Sequence, residues 1–154
     1  KAVYSYVNKM IVYYLGEQPI LNQVETFLCE DKVHRQHVIE NISKLVVKPA
    51  NASGGYGIMI GPKAPKKERE EVIKKIKKNP RDFVAQPLEI LSTTPTISEN
   101  GIEPRHLDLR PFVLNGKSTY VTTGGLTRVA LRKGSTIVNS SQGGGSKDTM
   151  VVDT

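Results

Sequence analysis

The sequence predicts an α+β fold in which a mainly antiparallel sheet is flanked by helices. Helical patterns occupy residues 1–15, 31–42 and 63–78, all in the first half of the chain. Two short β-like runs, 45–48 and 57–60, enclose a glycine-rich segment, as in a hairpin loop. The second half is a series of extended segments separated by turn signals. Together these observations predict strands that pair mostly in antiparallel order.

Each helix has its own sequence signals. The opening helix has apolar residues near a 3.6-residue spacing, and Gly16 follows it as a plausible C-terminal residue. Nothing precedes it as a cap, which predicts that the chain is part of something longer. Asp31 is placed to cap the second helix. Pro65 lies near the start of the third helix, and Asn79-Pro80 follows its end.

The predicted strands of the second half lie at residues 106–114, 117–123, 125–132 and 135–138. Before them, residues 82–89 form a short strand that Pro87 interrupts. Asn115-Gly116 is the clearest turn signal between two of these segments. The composition of 139–148 is typical of a flexible linker, and its polar residues would also suit a catalytic loop.

Length and composition predict one soluble, cytoplasmic domain. The chain has 154 residues, of which 38% are hydrophobic and 6% aromatic, with no Trp. No apolar run approaches the length of a membrane span, and no signal-peptide pattern is present. Cys29 is the only cysteine, so an intramolecular disulfide and a thiolate-rich metal site are excluded. His34 and His37 could assist Cys29 in catalysis or share a metal. Packing is the favoured role for Cys29, and a surface or packing role is favoured for both histidines.

The formal net charge of +7 comes mostly from one segment. Residues 63–78 contain eight basic and three acidic residues, and Val72, Ile73 and Ile76 share one face of the predicted helix. A basic nucleic-acid-binding module is one interpretation of this charge. A solvated helix face is favoured over it, because no aromatic residues are interleaved for base stacking.

The segment from Lys48 to Gly57 has the chemistry of a lid that grips phosphate. Three glycines in four positions let backbone N–H groups approach an anion closely, and Lys48 supplies a positive charge at the end of the preceding strand. Neither a Walker loop nor a dinucleotide fingerprint is present. A glycine-rich turn without a ligand is the alternative.

Five sequence blocks, taken in order, resemble the circularly permuted ATP-grasp family, type 2. The blocks are VVKPANASGGYGIMIGP, RDFVAQPLEILSTTPT, PRHLDLRPFVLNG, GGLTRVALRKGS and NSSQGGGSKDT. The resemblance covers nearly the whole chain. It implies an ATP-grasp fold, in which ATP lies between two α+β lobes, and a chemistry that joins a carboxylate to an amine. In chemistry, the family is similar to glutathionylspermidine synthetases and peptide ligases.

The resemblance also assigns residues to roles. It implies that Lys48 contacts the nucleotide, that the glycine-rich segment closes over the phosphates, and that a hinge at 86–89 binds adenine. The nucleotide-binding residues would be Lys48, Ser53, Gly54, Gly55, Tyr56, Gly57, Gln86, Leu88 and Glu89. The catalytic residues would be Arg110, Arg128 and Asn139. For both arginines, the alternative is a strand-face salt bridge with a residue such as Asp108 or Glu103.

These implications predict an ATP-binding part of a carboxylate–amine ligase that uses ATP and Mg²⁺. No metal ligands are recognised in this chain, so they and a remaining lobe are expected upstream of residue 1, and the isolated piece is expected to be inactive. The predicted layout is one partial domain, 1–154. It has a helical lead-in at 1–43, the lysine strand, lid, basic helix and hinge at 44–96, and antiparallel strands with a glycine-rich tail at 97–154. A non-catalytic interaction domain with the same fold is the remaining alternative.

Overall fold

The computed structural model describes residues 1–130, 132–136, 138 and 144–150. The chain divides into two compact units, Lys1–Glu89 and Ile90–Thr154. Each unit contains one four-stranded sheet, and every strand pair is antiparallel. Among the described residues, all helices belong to the first unit. The predicted α+β class with antiparallel sheets is therefore confirmed, whereas the single-domain layout stays a prediction.

Helices of the first unit begin and end close to their sequence signals. A 3₁₀ turn at Ala2–Tyr6 leads into α1, Val7–Leu15, which stops at Gly16 in a left-handed conformation with φ of 66°. Helix α2 spans Lys32–Glu40 and is capped by Asp31, whose carboxylate accepts the His34 backbone N–H at 2.9 Å. Helix α3 spans Lys66–Lys78 and follows Pro65. Gly16 and the Asp31 cap thus set the end of α1 and the start of α2.

The first sheet has the strand order β1-β4-β2-β3. Its strands are β1, Phe27–Leu28; β2, Leu45–Pro49; β3, Met59–Ile60; and β4, Phe83–Pro87. Strands β2 and β3 pair directly, with Val47 opposite Met59, so the predicted hairpin around the glycine-rich segment is confirmed. A further 3₁₀ turn, Pro80–Asp82, leads into β4.

One face of this sheet forms the apolar core. Side chains alternate between the faces of a strand, so Leu45 and Val47 of β2 share a face with Ala85 of β4. They form a buried cluster with Val38 of α2 and Ile76 of α3. The complete cluster is Phe27, Cys29, Val38, Ile42, Leu45, Val47, Met59, Ile76 and Ala85. Lys48 lies on the opposite face of the sheet.

Cys29 belongs to this core rather than to a reactive site. Its side chain is fully buried, and burial raises the pKa of the thiol to about 11, with Arg35 acting in the opposite direction. At neutral pH the sulfur is therefore a protonated thiol, which is a poor nucleophile. This agrees with the packing role favoured from the sequence.

The second sheet follows the chain in the order β5-β6-β7-β8. The strands are β5, Thr93–Ser98; β6, Gly101–Asn115; β7, Thr119–Val129; and β8, Gly145–Met150. Strand β6 begins five residues earlier than the sequence suggested, because Gly101 to His106 pair with β5. The turn between β6 and β7 lies at residues 116–118, which confirms the Asn115-Gly116 signal.

Two expectations for the second unit were wrong. The predicted segments 117–123 and 125–132 belong largely to one strand, β7, because Gly124 and Gly125 continue its ladder against β8. Gly145–Met150 form a strand instead of a linker or loop, since they pair with the backbone of β7 from Gly124 to Val129. Asn139 and Gln142, at the start of the predicted polar loop, lie outside the described residues.

Candidate functional site

Lys48 lies near the end of β2 with its side chain half-buried. Its ammonium Nζ donates a hydrogen bond to Gln86 Oε1 at 2.5 Å, although the two residues are 38 positions apart. Burial lowers the pKa of Lys48, and the positive charge of Lys1 lowers it further. The strand therefore holds a partly desolvated cation, which an anionic ligand would stabilise.

The loop after β2 contains three glycines in left-handed conformations. Their φ angles are 66° for Gly54, 79° for Gly55 and 70° for Gly57. A Cβ on Gly57 would lie 2.9 Å from the ring of Pro49, so a larger residue there meets both strain and a steric conflict. Turns of this kind orient successive backbone N–H groups into concavities that bind anions. Lys48 and this loop therefore form a basic, amide-rich segment suited to phosphate.

Two further side chains at this site were not recognised from the sequence. Lys1 donates from Nζ to the backbone carbonyl oxygens of Pro49, at 2.8 Å, and of Ala52. Thr26 accepts a hydrogen bond from Gln86 Nε2 at 2.8 Å. Neither residue belongs to a local motif. Only the strand register, in which Phe27 faces Ala85, could have placed Thr26 beside Gln86.

The predicted adenine hinge begins inside β4 and continues beyond it. Gln86 lies in the strand, and both ends of its amide bind side chains of the same unit. Leu88 is half-buried and Glu89 is exposed, and both follow the strand end at Pro87. The structure thus brings Gln86 to Lys48, while a contact of this segment with adenine stays a prediction.

In the second unit, Arg110 and Arg128 converge on one carboxylate. Arg128 of β7 faces Asp108 of β6 across the strand pair and binds it twice, through Nε at 3.1 Å and Nη2 at 2.7 Å. Arg110 Nη2 donates to the same carboxylate at 3.0 Å. The Arg128 side chain is 17% exposed and that of Arg110 is 50% exposed. Asp108 therefore binds a partly buried guanidinium, that of Arg128, beside the more accessible one of Arg110.

The charges of this cluster shift the protonation of its members. Burial raises the pKa of Asp108, but hydrogen bonds from Arg128 and Arg110 outweigh it and leave that pKa below the ordinary value of 3.8. The hydrogen bond to Asp108 in turn raises the pKa of Arg128. At neutral pH the cluster therefore contains one carboxylate and two guanidinium groups, which leaves it net positive.

Glu103 was the other carboxylate considered as a partner for these arginines. It binds Arg105 Nη2 at 2.6 Å and Ser98 Oγ at 3.0 Å, and Lys133 Nζ lies 3.7 Å away. The hydrogen bond from Ser98 is the largest of the effects that lower the pKa of Glu103. The strand-face salt bridge that was the alternative role for Arg110 and Arg128 is therefore made with Asp108.

The described part of the chain contains no cluster of three or more His, Cys, Asp or Glu residues able to hold a metal ion. Both histidines of α2 instead pack against Phe27, with ring centroids 5.7 Å away for His34 and 4.6 Å away for His37. His34 Nδ1 also accepts the Leu28 backbone N–H at 3.2 Å. Within the described ranges, no helix is long and apolar enough to span a membrane.

Comparison with known proteins identifies relatives of the whole chain. The family model described as "Circularly permuted ATP-grasp type 2" matches residues 1–130. An uncharacterised protein of Synechocystis sp. is 53% identical over 153 residues, which cover 99% of this chain and 32% of that protein. An uncharacterised protein of Mycobacterium tuberculosis is also 53% identical, over 99% of this chain and 28% of its own length.

A third relative has a name that states an activity. The Frankia casuarinae protein named "Putative glutamate--cysteine ligase 2-2" is 49% identical over 151 residues, 98% of this chain and 17% of that protein. The chain therefore spans about a third or less of the length of these relatives.

Proposed function

The chain belongs to the circularly permuted ATP-grasp type 2 family, and on this basis we propose that it is the ATP-binding part of a carboxylate–amine ligase. A relative of the chain that is named as a glutamate–cysteine ligase supports the proposed reaction type. One observation carries the assignment in this chain: half-buried Lys48 lies near the end of the strand that leads into a loop with three left-handed glycines. We expect the protein to act in the cytoplasm.

The proposed reaction overcomes a specific chemical obstacle. A carboxylate is a poor acyl donor because its negative charge repels nucleophiles and its leaving group would be oxide. ATP supplies a phosphoryl group that converts this oxygen into a good leaving group. The amine then attacks the acyl carbon, which yields an amide, ADP and inorganic phosphate. The substrates would be small carboxylates and amines or peptides, and the similarity in chemistry to glutathionylspermidine synthetases stays a prediction.

In the first unit, Lys48 and residues 53–57 would hold the phosphates of the nucleotide. A lysine ammonium has three N–H donors, and Gln86 accepts one of them. The left-handed glycines let the backbone of the loop come close to phosphate oxygens without a Cβ in the way. Leu88 and Glu89 would supply backbone contacts to the adenine ring.

In the second unit, Arg110 would face the charge that develops during phosphoryl transfer. Its guanidinium is half exposed and is oriented by Asp108, which is the arrangement expected of a preorganised anion clamp. Arg128, bound at two points by Asp108, would act as a second positive group. Asn139 remains a proposed catalytic residue. No step of the proposed reaction is assigned to a metal ion held by the described residues.

Titration of the full-length protein with Mg-ATP tests the proposal. Lys48→Ala should weaken nucleotide binding roughly 10-fold or more, because a hydrogen bond to a charged group contributes about 1.5–3 kcal/mol. The matched control is Lys44→Ala, since Lys44 is exposed and lies just before the same strand. Nucleotide affinity equal to wild type in a folded Lys48→Ala protein would contradict the placement of the phosphates.

A further inference from the structure

Three side chains from neighbouring parts of the first sheet lie in a row on the face opposite the core. Lys48 faces Val84 across β2 and β4, and Gln86 is two residues further along β4, so both point to the same side. Strand β1 pairs with the other edge of β4, with Phe27 opposite Ala85. The same register continued by one residue places Thr26 beside Gln86. The row is Thr26–Gln86–Lys48, and we call it the relay.

The hydrogen bonds of the relay have a single possible direction. The Thr26 hydroxyl lies 3.1 Å from the carbonyl oxygen of Val24, which can only accept, so the hydroxyl proton points to Val24. Thr26 Oγ1 therefore faces Gln86 as an acceptor and takes a hydrogen from Nε2 at 2.8 Å. With the nitrogen held by Thr26, the amide oxygen of Gln86 faces Lys48 Nζ.

The direction matters because an amide can rotate by 180° with little change in shape. In the opposite orientation, the Gln86 NH₂ group would face the Lys48 ammonium, and the two donors would repel each other. The Gln86 side chain cannot prevent this rotation by itself. The Thr26 hydroxyl, fixed by Val24, makes one orientation favourable.

We propose that Thr26 and Gln86 are positioning residues that hold the Lys48 ammonium charged and directed towards the nucleotide phosphates. The inference rests on the proposed function, since it concerns the same site. It assigns the Gln86 side chain to Lys48 and leaves adenine to backbone groups of the hinge. Thr26 acts entirely through Gln86, and in the structure it makes its side-chain hydrogen bonds to Val24 and Gln86.

The relay opposes two effects that discharge Lys48. Burial disfavours the ammonium, and the positive charge of Lys1 repels it. An acceptor aimed at Nζ stabilises the charged form and so raises the pKa relative to a site without it. Binding that depends on the ammonium is present below the pKa of Lys48 and is lost as pH rises through it. Weakening the relay should move this loss to lower pH.

Thr26→Val tests the inference, because valine keeps the shape of threonine and removes the hydroxyl. We expect Mg-ATP affinity to fall about 2- to 10-fold, as for one neutral hydrogen bond. The alkaline limb of the affinity–pH profile should shift to lower pH, and Thr26→Ser should restore both properties. The pKa of Lys48 is measured separately, from the pH dependence of its acetylation by acetic anhydride followed by mass spectrometry.

Gln86→Glu should move the pKa of Lys48 in the opposite direction to Thr26→Val. A carboxylate in place of the amide would raise the pKa of Lys48 by ion pairing, yet would neutralise the site and weaken Mg-ATP binding. Thr96→Val is the matched control. Thr96 makes the same hydroxyl bond to the carbonyl of the residue two positions earlier, at 3.2 Å, but lies in the second unit. It should change neither readout.

The two readouts separate failure of this inference from failure of the proposed function. An unchanged Lys48 pKa in folded Thr26→Val protein overturns the relay, whatever happens to nucleotide binding. A lowered pKa that Thr26→Ser restores supports the relay. If that result is obtained while wild-type protein binds no Mg-ATP, the relay stands and the proposed function is wrong.

Discussion

The two units have the same antiparallel strand pairing but stabilise it differently. In the first unit, a nine-residue apolar cluster packs one face of the sheet against α2 and α3. In the described part of the second unit, the buried side chains are Thr127, Val129, Ala130 and Val138, and no helix is present. Several large apolar side chains of β6 and β7 are exposed, including Leu114 at 63% and Tyr120 at 55%.

This difference in apolar burial shows which interactions stabilise each unit. Burial of apolar surface is non-directional and dominates where a sheet face is covered, as in the first unit. The second unit relies more on long backbone ladders and on cross-strand charge pairs such as Asp108 with Arg128. Packing defects should therefore damage the first unit most, whereas changes of charge should show their effects in the second.

The largest effect is expected at Gly61, which follows β3 and donates its N–H to the Leu45 carbonyl at 2.9 Å. A Cβ there would lie 1.9 Å from the backbone oxygen of Ile42 and 2.6 Å from that of Leu45. Neither oxygen can move without breaking the core contacts around it. Gly61→Ala should therefore destabilise the first unit by about 3 kcal/mol or more, measured by urea unfolding.

Gly116, in the turn between β6 and β7, is the matched control. A Cβ at this position meets no atom within 4 Å. Gly116→Ala should change stability by less than about 0.5 kcal/mol, as for most surface substitutions. If Gly61→Ala and Gly116→Ala destabilised the protein equally, packing would not matter more in the first unit than in the second.

A second effect should separate catalysis from stability in the second unit. Arg110→Ala should lower single-turnover acyl-phosphate formation by the full-length protein roughly 10²-fold, with a smaller change in nucleotide affinity, because this group meets developing charge. Stability should change little, since the side chain is half exposed.

Arg132→Ala is the control for the loss of one arginine, because Arg132 is exposed in the same unit. Near-normal turnover of the Arg110→Ala protein would remove this arginine from the proposed mechanism. Its salt bridge with Asp108 would then be its principal role.

The smallest effect concerns the acid stability of the second unit. The pKa of Asp108 is lowered in the folded state, so its contribution to stability is full above the unfolded value and is lost as pH falls through the folded value. Asp108→Asn should destabilise the ladder of β6 and β7 by about 1 kcal/mol near neutral pH. The difference from wild type should disappear as pH falls through the lowered pKa of Asp108, because the wild-type carboxyl is then protonated.

Hydrogen exchange of the β6 and β7 amides measures this difference, and the amides of β2 and β4 serve as the internal reference. A difference between wild type and Asp108→Asn that does not depend on pH would contradict the ionic explanation. It would instead indicate that the shape of the Asp108 side chain matters.

Sequence reasoning succeeded where the signal and the structure are close together along the chain. Gly16 ends α1, Asp31 caps α2, and Asn115-Gly116 turns β6 into β7. The hairpin around the glycine-rich loop has the same local origin, because only the nine residues 50–58 separate β2 from β3. The resemblance to the ATP-grasp family also proved correct.

Sequence reasoning failed where the secondary structure of a segment depends on a partner strand. The predicted segments left a break at Gly124, inside β7, yet a paired strand accepts glycine when both neighbouring strands supply hydrogen bonds. Residues 145–148 resembled part of a linker, yet the edge of β7 gave their backbone groups partners. Single-sequence patterns contain no information on which edge is available.

By itself, the sequence determined the α+β class, the helix ends, the family and the residue types of the proposed phosphate-binding loop. These follow from backbone preferences, capping and short-range periodicity, which act within a few residues. Tertiary structure alone decided that Asp108 binds both arginines and that Thr26 and Gln86 reach Lys48. The physical reason is that strand register brings together residues separated by as many as 60 positions, and register is set by the packing of the whole sheet.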